Sequence, residues 1–454
     1  MTTSNFQFLK FVRYSAIDNW SFQYAIEELI NYNRRYHFDT IGSFLTRNKT
    51  SVIVNNDVQY KRVTIRTNNG GCCIRDEKMG KEIGTKSQFL ISKGQFIISK
   101  IDARNGAFGV VPDKCDNAII TSNFWAFDVN HQRVDAKYLS LITTTNKFIA
   151  FAEKASNGTT NRHYLQEPLF LTQKVPIPTL PEQQILVDAY NTKIKRANEL
   201  EQQAQQIGNE IEDYFLTVLG ISKSSETNQI ITNGFKFLQY VRYKDINEWG
   251  FGKVKNKGIE LSNVYPTKKV KDICSLGSGG TPSRSVPEYY KGNILWIKTG
   301  EVVNEEINET EEHISIEAIN NSSAKIYPKG SLIIAMYGQG ETRGRTAKLG
   351  VDAATNQACA VLYNINSNVV ITDYLWYYFQ GRYNDLRSLA SGNNQPNLNA
   401  GMINNYDVVL PPLAIQNAIV NHINAQKAQI KQLKQQAETM RKQALKEFEN
   451  EIFE

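Results

Sequence analysis

FQFLKFVRYSAIDNWSF, residues 6–22, is matched 229 residues later by FKFLQYVRYKDINEWGF, residues 235–251. Nine of the seventeen aligned positions are identical. A match of this kind between two distant segments of one chain is the sequence signature of an internal repeat. The sequence therefore predicts that the chain carries one structural plan twice.

Two further pairs of segments extend the match. IPTLPEQQILV (177–187) resembles LPPLAIQNAIV (410–420), and KGQFIISK (93–100) resembles KGSLIIAM (329–336). The offset between the copies changes from pair to pair, which indicates insertions and deletions in loops between fixed landmarks. We predict a tandem duplication of roughly 215-residue units, each a mixed region followed by a long helix.

The mixed regions are predicted to be β-rich with some helix. Short β-branched runs after a Lys-Gly turn, QFIISKI and SLIIAMY, favour strands, as do AIITSNFWAFDV and the segment with Cys72 and Cys73. Residues 135–155 and 372–390 each have the pattern of a helix. The predicted fold class is α+β, with two mixed, β-rich domains separated by long helices.

The two long helices carry apolar residues at alternating spacings of three and four, which is the pattern of a coiled-coil seam. We predict that they pair as antiparallel helices, relating the two repeats by a pseudo-twofold axis. A helix from residue 181 to residue 220 spans roughly 60 Å at 1.5 Å per residue. The predicted seam residues are Ala197, Leu200, Ala204, Ile207 and Ile211 in the first helix, and Ile430, Leu433, Ala437, Met440 and Ala444 in the second.

These patterns divide the chain into five parts. The polar, turn-rich stretch GISKSSETNQIITNG is typical of a linker. The predicted parts are a β-rich domain (1–178), a long helix (179–220), a linker (221–234), a second β-rich domain (235–411) and a second long helix (412–454).

Composition excludes several classes of protein. The 454 residues contain no apolar run long enough for a membrane helix and no secretory signal at the N-terminus, so we expect a cytoplasmic protein. Five cysteines without a CxxC pair, and five scattered histidines, do not indicate a metal site. No nucleotide-binding P-loop, methyltransferase or nuclease motif is present, so we expect a protein that binds and does not catalyse.

The net charge of +7 is compatible with a polyanionic partner, and duplicated domains on a rigid spacer suit a two-ended ligand such as duplex DNA. Three loops in each repeat are rich in basic or amide side chains. Arg, Asn and Gln pair bidentately with G and A in the major groove, and Lys and Arg contact phosphates. Each loop alone is equally compatible with a surface turn, but their recurrence in both repeats favours DNA contact.

The candidate DNA-binding residues come from these loops. In the first repeat they are Arg75, Lys100, Arg104, Asn161 and Arg162; in the second they are Thr281, Ser283, Arg284, Lys298, Arg343, Arg345 and Gln395.

The chain resembles the specificity (S) subunit of bacterial type I restriction-modification systems. The resemblance spans almost the whole length and rests on the tandem organisation, the IPTLPEQQI and LPPLAIQ junctions, the two long helices and the segment GSGGTPSR…YYKGNILWIKTGEV. The second junction departs from the pattern, with Ile415 where the first has Glu182, so a role for a glutamate there is not expected.

The resemblance implies that each mixed region is a target recognition domain for one half of a split, asymmetric sequence in double-stranded DNA. The helices would set the spacer between the halves and dock two methyltransferase (M) subunits, with restriction (R) subunits joining the complex. S-adenosylmethionine, ATP and Mg²⁺ would bind the partner subunits, and this chain would bind no cofactor and have no active site. A coiled-coil scaffold with duplicated protein-binding domains, and an enzyme with a cryptic nuclease site, are the alternatives.

Overall fold

This computed structural model describes residues 32–157, 163–221, 264–338, 340–390 and 397–453. The two opening repeats, 6–22 and 235–251, and the predicted linker from residue 222 onward lie outside the described residues. The duplication is visible in the strands and helices that follow each opening repeat.

The chain forms two compact units, each of which contains one β-rich domain. Unit 1 comprises residues 1–201 and 434–454, and unit 2 comprises residues 202–433. Both long helices are divided between the units, so each unit contains a part of each helix. The predicted domain boundaries stay a prediction.

Within the described residues of unit 1 there are three short α-helices, and the first long helix begins in this unit. Its described strands are β1 (Phe38–Thr40), β2 (Leu45–Asn48), β3 (Ser51–Ile53), β4 (Gln59–Arg66), β5 (Gly71–Met79), β6 (Ser87–Leu90), β7 (Phe96–Ser99), β8 (Phe108–Val110), β9 (Ile119–Ile120), β10 (Phe124–Val129), β11 (Ser156–Asn157), β12 (Tyr164–Leu165) and β13 (Lys174–Pro176). The helices are α1 (Ala136–Thr143), α2 (Asn146–Lys154), α3 (Glu167–Thr172) and the long α4 (Leu180–Val218).

The described part of unit 2 has four short α-helices, and the second long helix begins in this unit. Its described strands are β14 (Thr267–Lys269), β15 (Ser275–Ser278), β16 (Ile294–Ile297), β17 (Glu306–Ile307), β18 (His313–Ile314), β19 (Ile326–Tyr327), β20 (Leu332–Ala335), β21 (Thr346–Leu349), β22 (Ala353–Thr355), β23 (Cys359–Tyr363) and β24 (Asp407–Val409). The helices are α5 (Ile316–Asn320), α6 (Thr372–Gly381), α7 (Tyr383–Leu389), α8 (Ala400–Asn404) and the long α9 (Leu413–Phe453).

The two domains share one sheet topology. The order β2-β10-β7-β8 in the first domain corresponds to β15-β23-β20-β21 in the second, with antiparallel pairing throughout. The order β6-β9-β4-β5 corresponds to β19-β22-β16-β18, and in both sheets the central pair is parallel. The predicted α+β fold and its duplication are confirmed.

The Lys-Gly turn before the shared strand has the same geometry in both domains. Gly94 and Gly330 have φ angles of 82° and 84°, a conformation that a side chain would strain. The backbone N–H of the preceding lysine donates to Asp116 Oδ1 in the first domain and to Asp352 Oδ1 in the second, at 2.8 Å in each case. The glycine therefore recurs because the backbone requires it.

Three predicted elements are each split in two. Residues 135–155 form α1 and α2, because the Thr145 hydroxyl accepts from the backbone N–H of Phe148 and begins a new helix. Residues 372–390 form α6 and α7, with the break at Arg382. The predicted strand at 118–129 is β9 and β10, separated by a turn.

In unit 1, residues 180–201 of α4 pack in antiparallel fashion against residues 434–453 of α9. Arg441 donates to Glu201 Oε2 at 2.9 Å and to Asn198 Oδ1 at 2.7 Å, and Lys193 forms an ion pair with Glu447. The residue numbers run in opposite directions along the two helices, as antiparallel pairing requires.

In unit 2, residues 202–218 of α4 pack with residues 413–433 of α9, and the Tyr214 and His422 rings lie 4.0 Å apart. Across both units, every one of the ten predicted seam residues is buried or half-buried. The pseudo-twofold relation of the repeats stays a prediction.

The end of each long helix completes the core of a β-rich domain. Phe448 and Ile452 of α9 lie in the core of the first domain, where the Phe448 and Tyr138 ring centroids are 6.2 Å apart. Phe215 of α4 lies in the core of the second domain, 6.4 Å from the Tyr374 ring. Each domain therefore requires the terminal turns of the helix that belongs to the other repeat.

A buried glutamine fastens the start of α4 to the first domain. The Gln183 side chain is fully buried. Its Nε2 donates to the carbonyls of Arg133 at 3.1 Å and Pro178 at 2.8 Å, and its Oε1 accepts from the backbone N–H of Asp135 at 2.8 Å. One side chain thereby satisfies three backbone groups.

The second junction has the same arrangement around Gln416, which is also fully buried. Gln416 Nε2 donates to the carbonyls of Val369 at 3.0 Å and Pro411 at 2.9 Å, and Oε1 accepts from the N–H of Ile371 at 2.8 Å. The two glutamines that align in the junction segments therefore have the same structural role, which is to fasten the start of a long helix to its domain.

The glutamate that distinguishes the first junction bonds the residue just before α4. Thr179 donates from its backbone N–H and its hydroxyl to Glu182 Oε2, at 2.9 and 2.8 Å, and these bonds lower the pKa of Glu182. Ile415 occupies the equivalent place in the second junction and cannot accept such bonds. The helix cap is therefore specific to the first repeat.

Replacing Gln183 with leucine is expected to destabilise unit 1 by on the order of 2–4 kcal/mol, because three buried backbone groups lose their partner. Urea unfolding measures this change. Gln184→Leu is the matched control, since Gln184 is exposed and bonds its neighbour Asp188 within α4; we expect a change of about 0.5 kcal/mol or less. Equal effects of the two substitutions would contradict the structural role of Gln183.

Candidate nucleic-acid interface

In the second domain, backbone and side-chain bonds connect the three predicted loops into one row. Thr281, in the glycine-rich loop after β15, bonds Gln357 in the β22–β23 turn. The N–H of Met336, at the start of the β20–β21 loop, donates to the carbonyl of Ala358 in that turn at 2.8 Å. Leu398, in the segment before α8, donates to the carbonyl of Met336 at 3.1 Å. The three loops therefore lie side by side.

The first domain repeats part of this row. Lys100 donates from its backbone N–H to the carbonyl of Asn123 at 3.0 Å and accepts from the N–H of Leu165 at 2.9 Å. These bonds correspond to those of Met336 in the second domain. Arg104 lies in the same β7–β8 loop as Lys100. Two of the three predicted loops are thus adjacent in this domain.

Three candidate residues lie outside the described residues, namely Asn161, Arg162 and Gln395. Arg75 lies within strand β5 and not in the row of loops. Its side chain is 49% exposed and its Nε lies 3.3 Å from Asp76 Oδ2, a carboxylate that also binds Arg62 through two bonds of 2.6 Å. Arg75 is therefore an exposed cation on the edge strand of the five-stranded sheet.

Lys100 shares an aromatic surface with a second cation, Arg47, that the sequence patterns did not single out. Lys100 Nζ lies 5.9 Å and Arg47 Cζ 5.4 Å from the centroid of Trp125, at distances typical of cation–π contacts. Arg47 Nε is 3.9 Å from Glu167, a nearby carboxylate. Burial lowers the pKa of Lys100, and the charge of Arg47 lowers it further. Two cations facing one carboxylate leave an excess of positive charge beside the loops.

Arg284 of the second domain packs over the rings of Tyr290 and Trp296, which we call the aromatic ledge. Its guanidinium Cζ lies 4.0 Å from the centroid of Tyr290 and 5.3 Å from that of Trp296. Nη1 donates to Glu312 Oε2 at 2.7 Å, and this bond raises the pKa of Arg284. The side chain nevertheless remains 56% exposed.

Lys298 reaches the same carboxylate from the other side. Its Nζ donates to Glu311 Oε2 at 2.8 Å and to Glu312 Oε1 at 3.0 Å, and these bonds raise the pKa of Lys298. The bond from Arg284 is the main cause that lowers the pKa of Glu312. Sequence reasoning missed both glutamates because it counted cations and not their partners.

The glycine-rich loop is packed in place and is more than a plain surface turn. The Trp296 indole N–H donates to the carbonyl of Gly280 at 3.0 Å, and the Tyr290 hydroxyl donates to the carbonyl of Pro282 at 2.7 Å. The exposed Ser283 hydroxyl lies 2.7 Å from that of Ser285. The aromatic residues that support Arg284 therefore also fix the loop that carries it.

Arg343 and Arg345 lie in the β20–β21 loop next to α7. Arg345 pairs with Glu341, and Arg387 donates to the carbonyl of Arg343 at 2.9 Å. The Tyr383 hydroxyl donates to the carbonyl of Glu341 at 2.6 Å. Tyr383 and Arg387 were missed as loop supports, although an aromatic residue and an arginine four positions apart on a helix are neighbours.

Among the described residues, no helix is long and apolar enough to cross a membrane. Within the same part of the chain, no group of three or more His, Cys, Asp and Glu side chains has an arrangement that could hold a metal ion.

The family model for the type I restriction modification DNA specificity domain matches this chain twice, at residues 25–212 and 264–439. The chain belongs to this family. The two matches include the two β-rich domains and much of both long helices, so each repeat corresponds to one copy of the family domain.

Two curated relatives are specificity subunits of type I restriction enzymes. The MjaIX specificity subunit of Methanocaldococcus jannaschii is 28% identical over 42% of this chain and 44% of its own length. The HindI specificity subunit of Haemophilus influenzae is 22% identical over 73% of this chain and 80% of its own length. The match thus spans less than half of the first relative and most of the second.

The fold matches a chain from a structure described as the basis of complex assembly and conformational transition of the type I R-M system. The TM-score is 0.58 at 16% identity, covering 92% of this chain and 97% of that one. The likeness supports the fold as a whole.

Replacing Gly279 with alanine is expected to destabilise the second domain by about 1–3 kcal/mol, because the packed loop has no room for a methyl group. A Cβ at this position would lie 1.9 Å from the carbonyl oxygen of Thr355. Gly300→Ala is the control, since its Cβ would meet no atom within 4 Å. Urea unfolding compares the two, and a neutral Gly279→Ala would contradict the packed loop.

Proposed function

We propose that this chain is the DNA-specificity subunit of a type I restriction-modification complex, with each β-rich domain contacting one half of a split, asymmetric target. The observation that carries the proposal is the row of adjacent loops beside the shared sheet of each domain. Part of the row recurs in the first domain through equivalent backbone bonds, whereas the side chains on it differ between the domains. A common frame with different contact residues suits a protein that reads two different half-targets.

The side chains on each row have the chemistry that DNA binding requires. Lys100 and Arg47 provide excess positive charge for phosphates, and such contacts make affinity fall with salt. Arg284 presents a planar group with several N–H donors, the type that pairs with guanine in the major groove. Thr281 and Ser283 add exposed hydroxyls that can donate or accept.

We further propose that the chain has no active site of its own and docks methyltransferase subunits, with restriction subunits joining the same complex. Specificity subunits are generally non-catalytic members of such assemblies. S-adenosylmethionine, ATP and Mg²⁺ would then be bound by those partners and not by this chain. A cytoplasmic location stays a prediction.

An open groove on the paired helices of unit 1 is the surface that we propose for docking. It has a volume of about 390 Å³, and Ile185 at its edge is 67% exposed. In unit 2, the rings of His422 and Tyr214 are in contact, with centroids 4.0 Å apart, at the equivalent positions, where unit 1 has Ala189 and Glu447. The groove is lined by Ile185, Leu186, Ala189, Tyr190, Lys193, Ala444, Glu447, Phe448 and Glu451.

The test of function is co-expression with a cognate methyltransferase subunit, followed by single-molecule sequencing of host DNA for methyladenine. We expect a split, asymmetric methylated motif that appears only when this chain is present. Exchanging residues 264–411 for those of a relative should change one half of the motif and leave the other. A motif that does not depend on this chain, together with DNA binding that is insensitive to salt, would favour the scaffold alternative.

Replacing Lys100 with alanine is expected to weaken DNA binding and to lower the slope of log affinity against log salt by about one, as for the loss of one phosphate contact. Binding titrations across salt concentrations measure both quantities. Lys93→Ala is the matched control, because Lys93 lies in the turn before the same strand and its side chain is 66% exposed. A slope that responds equally to both substitutions would count against the Lys100 contact.

Replacing Ile185 with aspartate is expected to weaken association with the methyltransferase tenfold or more, which is about 1.4 kcal/mol per tenfold, because a charge would enter an apolar contact. Calorimetry or co-purification measures the association. Gln203→Asp, at an exposed position on the same helix, is the control and should have little effect. Undiminished assembly of the Ile185 variant would exclude this groove as the docking surface.

A further inference from the structure

Glu312 is the centre of an ion-pair network on the second domain. Its two carboxylate oxygens bind different cations, Oε2 the guanidinium of Arg284 and Oε1 the ammonium of Lys298. The Glu312 side chain is 28% exposed, whereas that of Arg284 is 56% exposed. The carboxylate is therefore less accessible to solvent than the guanidinium that it binds.

The position of Glu312 is fixed by its own backbone. Its carbonyl accepts from the backbone N–H of Trp296 at 3.0 Å and from the Thr310 hydroxyl at 2.7 Å. Trp296 also forms part of the ledge under Arg284. Because Trp296 bonds the backbone of Glu312, the aromatic rings and the carboxylate are held in fixed positions around the guanidinium.

A carboxylate at this place is unexpected for a phosphate clamp. A negative charge beside the DNA backbone is repelled, and a cation that is already paired releases fewer counterions when it meets a phosphate. A fixed guanidinium, in contrast, is well suited to a bidentate bond with a base edge, since less rotational freedom is lost on binding. Only one hydrogen bond of the Arg284 side chain is made within the described residues, so further N–H donors are available.

The first domain provides the opposite case. Arg47 and Lys100 lie over one aromatic ring and share a single carboxylate, that of Glu167, with a closest ion-pair distance of 3.9 Å to Arg47. No bond from that carboxylate orients Lys100 among the described contacts. This arrangement favours charge attraction over directional readout.

We propose that Glu312 is a positioning residue. Together with Lys298, it orients Arg284 so that the guanidinium contacts a base edge and not a phosphate. The group read is a guanine edge in the major groove, which offers the two acceptors that an arginine fork matches. The inference rests on the proposed function and adds to it a specificity determinant for the half-target of the second domain.

The test compares Glu312→Gln with wild type in complex with the methyltransferase, on DNA libraries randomised in each half-target. Glutamine keeps the shape but removes the charge that pairs with both cations. We expect discrimination at one or two positions of the second half-target to fall on the order of tenfold, the size of one lost bidentate contact. Affinity for random DNA should rise, and the slope of log affinity against log salt should steepen by about one, because a cation that Glu312 no longer binds can contact a phosphate.

A merely structural role of Glu312 would instead lower stability and affect both measures of binding in the same direction. Thermal unfolding of the same samples would reveal such a loss of stability. The Arg284→Lys variant then tests the readout by Arg284 without altering Glu312. Lysine keeps the charge but lacks the planar fork, so it should retain affinity and lose discrimination. Glu288→Gln is the matched control, because Glu288 is 65% exposed and its ion-pair partner is Lys291, at 4.0 Å.

Unchanged discrimination in both Glu312→Gln and Arg284→Lys would overturn the inference. Failure of the proposed function has a different result, because the wild-type chain would then direct no methylation motif at all. If the wild-type motif depends on the second domain and neither variant changes discrimination, the proposed role of Glu312 is excluded while the proposed function stands.

Discussion

Two buried glutamine side chains join the long helices to the β-rich domains. Gln183 and Gln416 each bind three backbone groups that would otherwise be unsatisfied in the interior. Such a contact is directional, so it determines the angle at which each helix leaves its domain. The end of the other helix then completes the core beside it, through Phe448 in the first domain and Phe215 in the second. Each domain is therefore built on parts of both repeats.

The bonds that hold the fold together are distinct from the side chains available to contact a ligand. The glutamines, the Lys-Gly turns and the backbone bonds of Lys100 and Met336 recur in both domains. The loops they hold carry different side chains. A protein organised in this way can change the ligand of one loop without altering the fold, because the bonds that position the loop are made by the backbone. Family membership is consistent with this division.

The two domains also differ in how they use charge. In the first, Arg47 and Lys100 are partly buried over Trp125 and outnumber the carboxylate beside them. In the second, Arg284 and Lys298 are balanced by acidic neighbours. Cations that outnumber the neighbouring carboxylates attract phosphates over some distance. Cations whose charge is neutralised by neighbouring carboxylates act only when they contact the DNA. The net charge of the chain, +7, does not reveal this difference.

The sequence by itself determined the duplication, the strands after each Lys-Gly pair and the two long helices, because each depends on a local pattern or on a comparison of the chain with itself. The tertiary structure decided which loops are adjacent, that residues 135–155 and 372–390 form two helices each, and which carboxylates pair with the cations. Glu312 is fourteen residues from Lys298 in sequence and touches it in space. Such partners are chosen by the pairing of strands, and a pattern of residue types along the chain does not contain that information.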